Sequence, residues 1–90
     1  MNSRVHIIIS GRVQGVFFRS NAAKKASEIG VTGWIRNLRD GSVEAIFEGN
    51  KKALEEIIDF CKIGPPGALV KNIELKWEPS TSQYRTFNII

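Results

Sequence analysis

Along this chain, apolar and polar side chains alternate with a period of two, and twice that rhythm gives way to a period near 3.6. The switching predicts the elements. Val5-His6-Ile7-Ile8-Ile9 is rich in β-branched residues, so residues 4–10 are expected as a strand. Phe18, Ala22, Ala26 and Ile29 then recur at helical spacing, which predicts a helix over 18–29 with Gly30 as its stop. Strands are expected at 32–36 and 42–48, joined through Asp40-Gly41, the strongest hairpin signal in the chain. Asn50 is placed to cap a second helix with Leu54, Ile57, Ile58 and Cys61 on its buried stripe, and Gly64-Pro65-Pro66 ends it. Ile73, Leu75 and Trp77 alternate with Glu74 and Lys76, predicting a strand over 70–77. A polar loop, Pro79-Ser80-Thr81-Ser82-Gln83, precedes a short last strand at 86–90.

The order βαββαβ predicts an α+β, ferredoxin-like sandwich. Its sheet is mainly antiparallel, its two helices share one face, and a short C-terminal strand is added. Val43, Ala45 and Phe47 suit the helix-facing side of the third strand, with Glu44 and Glu48 opposite. Trp34 and Trp77 are expected as core or sheet-packing residues. No repeat or low-complexity tract divides the chain, so residues 1–90 are read as one domain, large enough to be stable without disulfides or metal.

Composition narrows the class without naming a function. The net charge of +4, from 13 Lys and Arg against 9 Asp and Glu, draws anions at long range. The basic residues are spread out, and Lys24-Lys25 and Lys51-Lys52 are expected to coat the solvent faces of the helices, so charge alone disfavours a nucleic-acid partner. Cys61 has no second cysteine to pair with, and its place on an apolar stripe predicts buried packing. No apolar run reaches the ~20 residues of a membrane span, and Met1-Asn2-Ser3-Arg4 leads straight into a strand, so a cytoplasmic protein is expected.

Two segments carry candidate chemistry. Gly11-Arg12-Val13-Gln14-Gly15-Val16-Phe17-Phe18-Arg19-Ser20 places a glycine-bearing loop between a strand and a helix N-terminus, where unpaired N–H groups and the positive end of the helix dipole gather. Arg19 in the first turn is badly placed for that dipole, and an anionic partner would compensate it. The loop lacks both the Gly-Lys-Ser/Thr ending of a nucleotide P-loop and the three-glycine spacing of a dinucleotide fingerprint. In the second segment, Gly33 to Val43, Asn37 stands where the strand ends, either as a turn former or as a neutral amide that orients water or substrate. Neither segment offers a nucleophile with an adjacent base or a set of metal ligands, and His6 stands alone on its strand as a locally satisfied residue.

Together the two segments resemble the acylphosphatase family. Ile9-Ser10-Gly11-Arg12-Val13-Gln14-Gly15-Val16-Phe17-Phe18-Arg19 is similar to that family's phosphate-loop motif. Gly33-Trp34-Ile35-Arg36-Asn37, followed by Gly41, Val43 and Gly49, is similar to its second. The likeness runs from Val5 to Trp77 and extends toward the end Phe87-Asn88-Ile89-Ile90. Ser20 and Asn21 stand where many relatives carry bulkier side chains. The resemblance implies that Arg19 binds phosphate, that the backbone of Gln14, Gly15, Val16, Phe17 and Phe18 cradles it, and that Asn37 holds the attacking water. It implies an acyl phosphate substrate, with inorganic phosphate as product and competitive inhibitor. The lack of a ligand set predicts no metal and no cofactor, and a monomer with no membrane partner is expected.

Two alternatives of other classes stay open at this point. A nonenzymatic phosphometabolite-binding domain would use the same cradle without hydrolysis. An RNA-binding module of the same fold would need stacking aromatics on its open face, whereas the third strand puts Glu44 and Glu48 there.

Overall fold

The computed structural model describes residues 2–90. Its elements follow the expected order: β1 (Asn2–Arg12), α1 (Phe18–Glu28), β2 (Thr32–Asn37), β3 (Val43–Asn50), α2 (Lys51–Ile63), β4 (Leu69–Glu78) and β5 (Phe87–Ile89). Local chemistry sets the helix ends. The Asn50 side chain accepts from the Ala53 N–H at 2.8 Å and satisfies one orphan donor of α2. Past the end of α1, Gly30 takes the left-handed conformation, φ +77°, that reverses the chain at least cost.

The sheet order is β4-β1-β3-β2-β5. Neighbours are antiparallel except β2 and β5, which run parallel with Gly33 opposite Phe87 and Ile35 opposite Ile89. β4 and β5 lie at opposite edges of the sheet, so residues 79–86 must cross it to connect them. Both helices pack on one face. Val5, Ile7 and Ile9 of β1, Ile35 of β2, and Val43, Ala45 and Phe47 of β3 form one buried cluster with Phe18, Ala22 and Ala26 of α1 and Leu54, Ile57 and Cys61 of α2. Burial pushes the Cys61 thiol up to about 12, so it packs as an inert apolar group. No helix among the described residues is long and apolar enough to cross a membrane.

The sheet departs from expectation at its edge and on its second face. Trp77 is 45% exposed and Leu75 is also exposed, although both alternate correctly. The reason is position: β4 is an edge strand, and only its first half, through Val70 and Ile73, reaches the core. Trp34 lies beside the last connection, its indole N–H donating to the Tyr84 hydroxyl at 3.1 Å, with the Arg36 guanidinium 5.3 Å from its ring. Glu48, expected on an acidic open face, is only 2% exposed. Its carboxylate accepts from the Thr81 N–H at 2.9 Å, the Thr81 hydroxyl at 2.8 Å and the Ser82 N–H at 3.0 Å, and pairs with Arg4 at 3.4 Å. The polar connection is therefore a strap pinned across the sheet by a buried charge.

Burial pushes the Glu48 carboxyl up, but the Thr81 and Ser82 donors and Arg4 outweigh it and hold the group below its ordinary range. The folded chain thus binds this proton less readily than the unfolded chain. The strap's stabilisation is full at neutral pH and is lost as pH falls through the depressed value. Glu48→Gln is expected to lower the denaturant midpoint by an amount equivalent to about 1–3 kcal/mol and to flatten the acid limb of stability against pH. An unchanged acid limb would show that the strap is not held by this charge.

Candidate active site

The loop begins with a controlled break in β1. Pairing with β4 shifts register between Ser10 and Gly11, where φ is +124°, and continues to Arg12, two residues beyond the expected strand end. From there the chain turns through a short segment of alternating handedness: Gly15 (φ +76°) and Phe17 (φ +62°) are left-handed, while Val16 and Phe18 are not. Such alternation turns successive N–H groups to one side and forms an anion-binding concavity. Left-handed geometry costs a bulky residue such as Phe17 of order 1–3 kcal/mol. The Phe17 carbonyl is held in place by three donors, the Asn21 N–H at 3.1 Å, the Asn21 side-chain amide at 2.8 Å and the Ser20 hydroxyl at 3.2 Å. That is the role the structure gives the two small residues after the arginine.

The start of α1 lacks its usual compensation. Phe17 occupies the N-cap position and supplies no side-chain cap, and the first turn holds no acidic residue. Arg19 sits in that turn, and among the described residues no carboxylate lies within ion-pair distance of it. Uncapped N–H groups and an unpaired guanidinium therefore stand together. Phe18 anchors the arrangement from below, buried and 5.6 Å from the Phe60 ring of α2.

Asn37 ends β2 opposite Val43 of β3. The turn that follows is tightly bonded: the Leu38 N–H donates to the Ser42 carbonyl at 2.8 Å and the Gly41 N–H to the Leu38 carbonyl at 3.2 Å. The Asp40 carboxylate accepts from both the hydroxyl and the N–H of Ser42, and these bonds hold its carboxyl below the usual range.

A cleft of about 330 Å³ joins the two segments. Gly15, Phe17, Phe18 and Arg19 line it from the loop and helix, Asn37 from β2, and Ile89 from β5, with Val13 and Ser20 completing the wall. The expected Arg19 and Asn37 are thus brought to one place. The Val16 side chain packs against the core and the Gln14 side chain reaches the hairpin, so neither side chain lines the cleft. Ile89 is a lining residue that motif reading missed, because only the parallel pairing of β5 carries it there. His6 lies outside the cleft, with Nε2 2.7 Å from Glu44 Oε2; the carboxylate only accepts, so that ring nitrogen carries the proton. Among the described residues no group of three His, Cys, Asp or Glu side chains is placed to hold a metal ion.

Comparison with known proteins finds relatives in both sequence and fold. The family model described as Acylphosphatase matches residues 5–89, a span containing both cleft-forming segments. The chain is 49% identical to an acylphosphatase of Roseiflexus sp. (strain RS-1) over 98% of this chain and 95% of the relative, and 45% identical to one of Pelotomaculum thermopropionicum over 97% and 95%. Its fold superimposes on the crystal structure of acylphosphatase from Bacillus subtilis with a TM-score of 0.94 and 34% identity, covering 100% of this chain and 99% of that one. With the fold and the sequence match both covering nearly its full length, this chain belongs to the acylphosphatase family.

Proposed function

We propose that the chain hydrolyses acyl phosphates by direct attack of water on phosphorus. The observation that carries this reading is the shared cleft, where an unpaired Arg19 and an uncapped helix start face the same space as Asn37. Arg19 and the amides of the loop from Gln14 to Phe18 grip the nonbridging oxygens and stabilise the charge that develops in transfer. Asn37 orients the water in line with the leaving carboxylate. The water oxygen bonds to phosphorus, the bond between phosphorus and the acyl oxygen breaks, and the carboxylate leaves with the bonding pair. The cleft lining contains no imidazole, carboxylate or thiol, so the proton of water passes to a phosphate oxygen of the substrate. A carboxylate is already a good leaving group, and positioning with charge neutralisation suffices.

One domain working as a monomer in the cytoplasm is part of this reading. Inorganic phosphate is expected to compete with substrate. The decisive assay incubates the purified protein with benzoyl phosphate in excess EDTA and follows loss of the anhydride. Turnover should be undiminished by the chelator. Turnover that dialysis abolishes and magnesium or zinc restores would overturn the proposed chemistry. Phosphate binding with no hydrolysis would leave a passive phosphometabolite binder.

A further inference from the structure

We propose that Gln14 is a positioning residue whose side chain fixes Asn37 relative to the phosphate loop; the inference rests on the hydrolase reading above. The two segments that carry Arg19 and Asn37 are not neighbours in the sheet. β1 and β2 are separated by β3, so sheet pairing alone does not join the loop after β1 to the turn after β2. Gln14 makes that connection directly. Its Nε2 donates to the Leu38 carbonyl at 2.7 Å and to the Ser42 carbonyl at 2.9 Å.

The choice of acceptors is informative. Leu38 directly follows Asn37, and the Leu38 and Ser42 carbonyls are the two that already close the turn by accepting from Gly41 and Leu38. One amide group thus supplies a second donor to both ends of the turn while its own backbone adjoins Gly15 in the cleft wall. Two carbonyls facing one side chain demand a group with two donors and no charge to bury. A carboxylate at the same length only accepts, and an asparagine is one methylene short. Ser42 is 4% exposed, so water does not readily replace the missing donors there.

Because the clamp acts through Asn37, its loss should appear in kcat and not in phosphate affinity. Gln14→Ala is expected to lower kcat about tenfold or more on benzoyl phosphate, the usual consequence of small misplacement at a reacting centre, with the dissociation constant of inorganic phosphate unchanged. Made in an Asn37→Ala background, the same change should cost nothing further, since there is no amide left to position. Gln14→Glu keeps the side-chain length and should fail similarly at neutral pH. It should then regain turnover relative to wild type as pH is lowered and its carboxyl becomes a donor. It also stands in for the alanine variant if that one is misfolded by circular dichroism. Losses that add in the double variant, or a weakened phosphate affinity, overturn the proposal.

A second readout does not depend on turnover. Titrating isotope-labelled protein with inorganic phosphate should move the Asn37 side-chain amide resonance in wild type. In Gln14→Ala it should move the loop amides alone. If wild type hydrolyses nothing, the hydrolase reading fails and this titration still decides the clamp; an Asn37 signal that responds equally in both proteins sinks it.

Discussion

Arg19→Lys is expected to cost about a hundredfold or more in kcat/KM on benzoyl phosphate although the formal charge is unchanged. A guanidinium presents two parallel donors in a rigid plane, matching two phosphate oxygens at once, whereas an ammonium is a point charge on a flexible stem. Arg19→Ala removes charge and donors together, and the loss should grow to about a thousandfold or more, with phosphate affinity falling in parallel. Binding should weaken too, because the uncapped N–H groups at the start of α1 must then hold a multiply charged anion with no counter-charge. Steady-state kinetics with calorimetric titration of phosphate would measure both quantities. Turnover of the lysine variant close to wild type would reduce Arg19 to a source of general attraction.

Asn37→Ala should separate catalysis from binding. The loop, the helix start and Arg19 remain in place, so phosphate affinity is expected to change little. Losing a preorganised polar group aimed at the water should cost about 3 kcal/mol of transition-state stabilisation, a rate loss of roughly a hundredfold or greater. The same pair of measurements tests this, with circular dichroism to confirm folding. Equal loss of phosphate binding in the Arg19→Ala and Asn37→Ala variants would make Asn37 a support for the loop, and an active Asn37→Ala would leave the water without a guide.

Short-range chemistry was the legible part of this chain. Asn50 caps α2, Gly30 turns the chain after α1, and the alternation of Val5, Ile7 and Ile9 finds the core, because each depends on neighbours a few residues away. Arg19 and Asn37 were legible through motif resemblance, and the fold brings them to one cleft. What stayed hidden depends on partners distant in sequence. Alternation in β4 is the same whether a strand is central or at an edge, so Trp77 read as packed when it is half exposed. Glu48 read as a solvent charge because its donors, Thr81 and Ser82, lie more than 30 residues away. Gln14 read as a contributor of backbone only, and its side-chain acceptors are set by how the hairpin folds back.

The parallel docking of β5 makes the site a product of the whole chain's topology. Arg19 and Asn37 sit on elements that form from the first half of the sequence, but the Ile89 wall arrives only after the chain has crossed the sheet and paired Ile35 with Ile89. Closing so long a loop carries an entropic cost that must be met before its contacts return anything, which is why non-local pairings set the pace of folding. A chain that has assembled β1 through β4 holds every lining residue of the cleft except Ile89. Formation of the complete cleft is therefore coupled to a pairing between residues distant in sequence, and opening of that one edge strand would remove Ile89 from the cleft together with Phe87 from its stack on Phe47.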